Sequence, residues 1–184
     1  MLLNSKFSNF SILFPRKFFY EEIEEKYDVF FKRSPIVYQN ITDYVNYTIQ
    51  AISWPDIAAE TVEQTFKDVI KTSKSGWDAK RFMTRSFDIT FRTTEGFLNY
   101  WIMYDQFFKY WEYGGNDRMF LPNLNLRIHD HMGYLVMTMI FRNVVFSGIS
   151  AMELSYSSNM PEPKTFTCTF AHTDIILRNE SGGI

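Results

Sequence analysis

Alternating apolar and polar side chains predict four β-strands, at 44–53, 86–92, 150–157 and 165–172. Alternate residues of a strand point to opposite faces of its sheet, so each segment has an apolar face for the core and an outward face. The outward faces consist mostly of small hydroxyl and amide side chains: Asn46, Thr48, Gln50, Ser86, Asp88, Thr90, Arg92, Glu153, Ser155, Ser157, Thr165, Thr167 and Thr169.

Two segments instead have the period of an α-helix. The first is predicted over 17–32, where an acidic first half suits the helix dipole and Ser34-Pro35 ends the pattern. The second is predicted over 95–113, between a Thr93-Thr94 cap and Gly114-Gly115. Because apolar residues surround most of the axis of the second helix, we expect it to be buried on more than one side.

Three further stretches are less regular. A hairpin is predicted from 124–129 and 134–142, turning at 130–133, with a connector over 143–148. Segment 56–80 fits either a helix or an irregular strand arm that turns at Ser75-Gly76. Together the elements predict a single α+β domain over 1–184, rich in antiparallel strands. Residues 179–184 are expected to be a flexible tail.

Composition adds one expectation about assembly. Aromatic residues make up 18% of the 184 residues, and hydrophobic residues make up 46%. Aromatic side chains supply buried area to both cores and interfaces, so in a domain of this size some of them are expected to face another subunit. The formal net charge is −2 and no basic run stands out, which argues against tight binding of nucleic acid.

The residue types that usually carry catalysis or hold a cofactor do not form a convincing constellation. His129-Asp130-His131 is the cluster closest to a metal site, and the alternative we favour is a polar hairpin tip. Cys168 alternates with Phe166 and Phe170, so we interpret it as a core residue and not as a nucleophile. We therefore predict no enzymatic activity, no catalytic residue, no cofactor and no metal.

The sequence also bears on cellular location. A single cysteine excludes an intramolecular disulfide and suits a reducing cytoplasm. The first ten residues lack the apolar core of a signal peptide, and no apolar run is long enough to predict a transmembrane helix.

The outward strand faces have an unusual chemistry. A solvated sheet face usually carries more Lys and Glu than these faces do. A nearly neutral wall of hydroxyl and amide groups would offer DNA few fixed cations that could trap its phosphates. The alternative is an ordinary exposed face that is rich in Thr because Thr favours strands.

Several short stretches, taken in order, resemble a known family. They are 49–55 (IQAISWP), 87–92 (FDITFR) followed at once by an aromatic helix, 140–150 (IFRNVVFSGIS), 154–158 (LSYSS) and 166–171 (FTCTFA). In their order and in their pattern of side chains, these stretches of 40–177 resemble the tail-tube proteins of contractile-tailed bacteriophages, which are related in fold to the type VI secretion tube protein. Residues 1–40, with their additional aromatic helix, depart from compact members of that family and would form an N-terminal extension or arm.

The resemblance implies an antiparallel β-sandwich or half-barrel, with a flanking aromatic helix and an N-terminal helix, that assembles into hexameric rings. One sheet of each subunit would join a continuous barrel, and the thirteen outward residues named above would face its lumen. Segment 56–80 would be an arm between subunits, formed by Val62, Phe66, Val69, Ile70 and Trp77.

On this basis we predict a structural virion protein, a tail-tube subunit whose stacked rings conduct DNA without specific binding. It would be made in the host cytoplasm and would lie in the virion tail, with copies of itself and neighbouring tail, sheath or baseplate proteins as partners. A tube-initiator or baseplate protein of the same fold is one alternative. A small β-rich domain that holds a ligand between its sheet and the aromatic helix is another.

Overall fold

The computed structural model describes residues 10–33, 38, 40–55, 61–66, 69–74, 85–112, 118–152 and 164–180. Within them, three α-helices are α1 (Glu21–Arg33), α2 (Ile41–Tyr47) and α3 (Leu98–Glu112), and a short 3-10 turn at Glu95–Phe97 precedes α3. The strands are β1 (Phe10–Leu13), β2 (Ile49–Ile52), β3 (Thr61–Phe66), β4 (Val69–Lys74), β5 (Ser86–Arg92), β6 (Leu124–His129), β7 (Leu135–Arg142), β8 (Val145–Ile149), β9 (Thr165–Ala171) and β10 (Asp174–Asn179).

The strands form two four-stranded antiparallel sheets and a separate ribbon. The first sheet has the order β1-β6-β7-β10, the second has the order β2-β5-β9-β8, and β3 pairs with β4 alone. The predicted α+β class, rich in antiparallel strands, is therefore confirmed.

Aromatic side chains fill the space between the two sheets. The ring of Phe87 on β5 stacks on that of Phe141 on β7, with 4.1 Å between the ring centroids, which joins one sheet to the other. Phe146 and Phe170 stack at 4.7 Å, and all four of these side chains are fully buried. Because each aromatic ring buries a large apolar area, this cluster supplies much of the driving force for folding.

Helix α3 packs against the second sheet through one face and against the N-terminal segment through buried polar contacts. Its Gln106 is fully buried; the Nε2 atom donates to the carbonyl of Phe18 at 2.9 Å and Oε1 accepts from the backbone N–H of Tyr20 at 3.2 Å. On the surface beside these bonds, Lys26 of α1 pairs with Asp105 of α3. The predicted helices over 17–32 and 95–113 thus correspond to α1 and α3.

The predicted strand over 44–53 is wrong in its first half, which forms helix α2. Asn40 caps this helix, because its Oδ1 accepts from the backbone N–H of Asp43 at 2.8 Å. Ile41, Tyr44 and Val45 then bury one helical face, with a spacing of three and four residues. The alternation that favoured a strand placed Tyr47 in the core, but its side chain is 74% exposed.

Other boundaries also differ from the prediction. The expected connector over 143–148 contains strand β8, and residues 150–152 of the expected fourth strand are not in a strand, while 153–157 lie outside the described residues. Strand β10 was not predicted at all. In segment 56–80 the described residues form two paired strands, in agreement with the strand alternative, and Phe66 pairs with Val69. The expected turn at Ser75-Gly76 lies outside the described residues.

Candidate assembly surfaces

Strands β5 and β9 bring two rows of predicted outward residues onto one face of the second sheet. Their antiparallel register places Asp88 opposite Thr169, Thr90 opposite Thr167 and Arg92 opposite Thr165. The intervening residues of both strands are buried in the sandwich. Ser86 lies on the same face, opposite Ala171. We call this surface the polar sheet face.

Hydrogen bonds between its short side chains order the polar sheet face. The hydroxyl oxygens of Thr90 and Thr167 lie 3.3 Å apart and share a hydrogen bond across the strands. Ser147 on β8 donates from its hydroxyl to the carbonyl of Thr169 at 2.9 Å. The backbone N–H of Thr167 donates to Ser150 Oγ at 2.9 Å. Such bonds hold short side chains and the neighbouring backbone in place along this face.

The second sheet ends in two edge strands. Strand β2 forms one edge and β8 the other, and each contains an irregularity in register, between Ile49 and Ala51 and between Phe146 and Gly148. Irregularities of this kind bend an edge and limit uncontrolled pairing. Trp111 of α3 donates its indole N–H to the carbonyl of Phe146 at 2.9 Å, so the helix is attached directly to β8.

Two of the predicted outward residues do not lie on this face. Asn46 is in helix α2, where its Oδ1 accepts from the backbone N–H of Phe14 at 2.8 Å. Thr48 is buried and donates its hydroxyl to the carbonyl of Val45 at 2.8 Å. Both residues therefore hold the backbone around α2. Gln50 is in β2, as predicted, and its side chain is exposed.

The remaining predicted site residues divide into two groups. Glu153, Ser155, Ser157 and Trp77 lie outside the described residues. The others belong to the ribbon β3–β4, in which Val62 and Ile70 are 45% and 66% exposed, and Phe66 and Val69 are the paired residues at the turn. The described part of segment 56–80 is thus a two-stranded ribbon, and its role as an arm between subunits stays a prediction.

The His129-Asp130-His131 segment forms a hairpin tip. Asp130 accepts from the backbone N–H groups of Met132 and Tyr134, each at 2.8 Å, which is the geometry of an Asx turn. His129 lies 3.1 Å from the hydroxyl of Ser11. Over the described part of the chain, no group of three or more His, Cys, Asp or Glu side chains could hold a metal ion.

Cys168 and His172 are the buried titratable side chains of the sandwich. Burial raises the pKa of the Cys168 thiol, with a smaller contribution from Asp88, so the unreactive protonated form is favoured. His172 lies beside the stacked rings of Phe87 and Phe141, at centroid distances of 5.9 and 5.5 Å. Neither of its ring nitrogens has a hydrogen-bond partner within the described structure, and burial, reinforced by Arg85, lowers its pKa.

A groove of about 810 Å³ opens beside β2, between α2 and the turn that precedes α3. Its lining includes Tyr38, Tyr44 and Tyr47 together with Arg92 and Glu95. Its volume is typical of small-molecule sites. It does not lie between a sheet and the length of α3, where the ligand-binding alternative placed a pocket.

The outer face of α3 is a surface that sequence reasoning did not identify. Among the described residues, the second sheet covers one side of the helix, and α1 with the N-terminal segment covers another, in agreement with the expected burial on more than one side. A further side of the helix carries the exposed side chains of Trp101, Tyr104 and Phe108. It is bordered by the half-exposed Trp111, whose indole N–H bonds to the carbonyl of Phe146. The spacing of these four aromatic residues by three, four and three positions was a visible signal, because such residues lie on one side of a helix.

Comparison with known proteins gives a likeness at the level of fold. No protein-family model and no curated protein sequence matches the chain. The structure of the anti-feeding prophage cap, a tube-terminating cap, is similar with a TM-score of 0.57 and 7% identity, covering 97% of this chain and 93% of that one. A sheath/tube terminator of an extracellular contractile injection system has a TM-score of 0.44 and 15% identity, covering 71% and 84%.

The first of these likenesses extends over nearly the whole of both chains. The protein therefore shares its fold with that tube-terminating cap. Its described part has no helix that is both long and apolar enough to cross a membrane.

Proposed function

We propose that this protein is a non-enzymatic structural component of a contractile tail or tail-like particle, and that it forms the ring that terminates the tube. The observation that carries the proposal is the full-length likeness in fold to a tube-terminating cap. It includes the N-terminal part of the chain, which departs from compact tail-tube proteins.

The second sheet supports assembly into a ring. Its edge strands β2 and β8 lie on opposite sides of one sheet, so β2 of one copy can pair with β8 of the next. Pairing of this kind satisfies the backbone groups at both edges, and a closed ring leaves none of them unpaired. The polar sheet face would then form a continuous inner surface around the ring.

A tail-tube subunit that stacks into a tube is the second candidate, and the polar sheet face favours it. The cross-strand pairs on that face are Thr with Thr, Asp88 with Thr169 and Arg92 with Thr165, so its two charges have opposite signs. DNA or another polyanion could pass along such a surface without being held by fixed cations. Hexameric rings and conduction of DNA belong to this second proposal. A tube initiator or baseplate protein of the same fold is a further alternative and would use the same surfaces.

Negative-stain electron microscopy and mass photometry of the purified protein test these proposals together. Single rings that do not stack would support the terminator, and long tubes would support the tube subunit. A monomer at every concentration and salt condition would contradict both. In purified particles, a terminator is expected at the copy number of one ring, and a tube subunit at many times that number.

The ligand-binding alternative makes a different prediction for the same sample. It requires a stable monomer whose tyrosine-lined groove binds a small molecule with a measurable change in unfolding temperature. Assembly into rings, without stabilisation by small ligands, would exclude it as the main function.

A further inference from the structure

The strand directions of the second sheet determine how its two edges meet when copies form a ring. Each neighbouring pair in the order β2-β5-β9-β8 is antiparallel, so the edge strands β2 and β8 run in opposite directions. A rotation about the ring axis preserves the direction of each strand relative to that axis. Strand β8 of one copy therefore meets β2 of the next in antiparallel orientation, and the end at which β8 stops lies beside the end at which β2 begins.

Helix α3 lies beside the β8 edge, on the side of the second sheet that faces the core. The ring of Phe107 contacts that of Phe146 on β8, with 5.2 Å between their centroids. The ring of Tyr100 contacts that of Phe166 on β9 at the same centroid distance. Phe146 and Phe166 are both buried among the aromatic residues of the sandwich, so these contacts place α3 on the core side of the sheet.

Helix α2 lies on the same side of the sheet, at the opposite edge. It continues through Thr48 directly into β2, and the carbonyl of Thr48 accepts from the backbone N–H of Arg92 on β5 at 2.8 Å. Asn46 of α2 binds the backbone N–H of Phe14, whose ring lies 6.1 Å from that of the buried Phe91. Two helices on one side of the sheet thus lie at the two edges that would join in a ring.

Each of these helices has exposed aromatic side chains among the described residues. Tyr47, the last residue of α2, is 74% exposed. On α3, Trp101, Tyr104 and Phe108 are 48%, 38% and 52% exposed, and we call these three residues the aromatic side of α3. Their rings form a row, with centroid distances of 5.8 Å between the first pair and 4.5 Å between the second.

The aromatic side of α3 points past the β8 edge. With 3.6 residues per turn, it lies opposite the buried side of the helix, which consists of Asn99, Ile102, Met103, Gln106 and Tyr110. The residues that contact the sheet, Tyr100, Phe107 and Trp111, lie about a quarter turn from both of these sides. The direction away from the core therefore runs along the sheet and beyond its edge strand, where the next copy would begin.

Trp101 and Tyr47 lie at the same end of the second sheet. The start of β2, two residues after Tyr47, pairs with Phe91, and Phe91 pairs with Phe166. Because Tyr100 contacts Phe166, the first turn of α3 lies at the level where β2 begins. Among the three residues of the aromatic side, Trp101 is therefore the one at the level of Tyr47.

We propose that the aromatic side of α3 in one copy packs against the end of α2 in the neighbouring copy, with Trp101 beside Tyr47. Tyr47 also lines the groove of about 810 Å³ beside β2, which is large enough to receive an aromatic side chain. The inference rests on the proposed ring assembly. It adds a contact between helices to the pairing of sheet edges and assigns it to particular residues.

The exposed areas suit such a contact. An aromatic side chain presents about 150–250 Å², so three that are each about half exposed leave roughly 300 Å² open. A stable interface takes about 800 Å² from each partner, and its centre is usually aromatic. The helix contact would therefore supply the apolar centre of the interface, and the backbone pairing of β8 with β2 would supply much of the remainder.

Cross-linking between single-cysteine variants tests the contact. Cys168 is the single cysteine of the chain and is fully buried, so an introduced surface cysteine is the reactive one. Trp101→Cys and Tyr47→Cys proteins, carrying tags of different size, are mixed, assembled and treated with a short bis-maleimide. We expect a heterodimer in the mixture and little product from either variant alone. The matched control replaces Tyr47→Cys by Met132→Cys, which is also exposed but lies at the β6–β7 turn of the first sheet.

Charge substitutions give a second readout. Trp101→Glu and Tyr47→Lys are each expected to weaken assembly at least about tenfold, because each places a charge in the aromatic centre of the interface. The unfolding temperature of the monomer should change by less than about 2 °C, since both side chains are largely exposed. Combining the two substitutions in one chain should restore part of the lost assembly, because opposite charges then meet at every junction of the ring. Met132→Glu should change neither property.

The outcomes separate the inference from the proposed function. Intact rings without a link between positions 101 and 47 would overturn the inference and leave the ring proposal standing. A dimer formed by Trp101→Cys alone would also overturn it, since two α3 helices would then face each other. A combined variant that assembles no better than either single one would count against direct contact of the two residues. A protein that stays monomeric under all conditions would overturn both proposals.

Discussion

Replacing Gln106 by Met tests whether a buried amide fixes the N-terminal segment to helix α3. The two side chains are similar in length and volume, so the change removes the polar atoms without opening a large cavity. The carbonyl of Phe18 and the N–H of Tyr20 would lose the hydrogen bonds that the Gln106 amide makes with them, at 2.9 and 3.2 Å. Both groups would remain in a largely buried environment.

The expected cost follows from the desolvation of these two backbone groups. A buried polar group that loses its partner costs about 1–3 kcal/mol. The methionine itself avoids burying an amide, which offsets part of this. We therefore expect the free energy of unfolding to fall by about 2–4 kcal/mol. At about 2–4 °C per kcal/mol for a domain of this size, Tm would fall by roughly 4–16 °C.

Urea denaturation followed by tryptophan fluorescence and by circular dichroism measures this change. The matched control is Gln50→Met, because Gln50 is exposed and its substitution is expected to change stability by less than about 0.5 kcal/mol. A loss below about 0.5 kcal/mol for Gln106→Met, with an unchanged denaturant slope, would refute the argument that this amide anchors the N-terminal segment.

Two further predictions concern the sandwich core and the polar sheet face. Burial and Arg85 lower the pKa of His172 in the folded state, against a smaller opposing effect of Asp174, so the unfolded chain takes up the proton first as pH falls. Stability should therefore be complete above the unfolded pKa of about 6.5 and decline below it, and His172→Leu should flatten that part of a urea-midpoint profile measured from pH 7.5 to 5. A profile that the substitution leaves unchanged would disprove a role for His172. Thr167→Lys with Thr169→Lys should make assembled rings bind duplex DNA at low salt, measured by fluorescence anisotropy and lost at high salt, because the added ammonium groups would contact phosphates. Assembled variant rings that bind no DNA would contradict our placement of the polar sheet face on an accessible inner surface.

Long, strongly periodic segments were the elements that the sequence predicted well. Strand β5 runs from Ser86 to Arg92 as predicted. The alternation in β5 and β9 fits only the period of a strand, and their antiparallel pairing places the polar rows on one face. Helix α3 and the β6–β7 hairpin were also predicted near their observed bounds. In these segments the side-chain period and the turn residues favour the same structure.

Short segments depended on contacts that a local pattern does not contain. The pattern of residues 41–47 fits both the period of a strand and the period of a helix. The Asn40 cap, together with burial of one helical face, favours the helix. Strand β8 is five residues long with an irregular register, so its existence depends on pairing with β9. Strand β10 depends in the same way on β7.

The composition and the period of the chain by themselves determined the α+β class, the polar rows and the aromatic character of α3. They could not determine which sheet each strand joins, because strand pairing connects residues far apart in sequence. Only the tertiary structure decided that one side of α3 faces the core and the other faces solvent, since a helix with aromatic residues all around can turn either side inward. The packing of Gln106 against the N-terminal segment fixes that rotation and leaves Trp101, Tyr104 and Phe108 exposed.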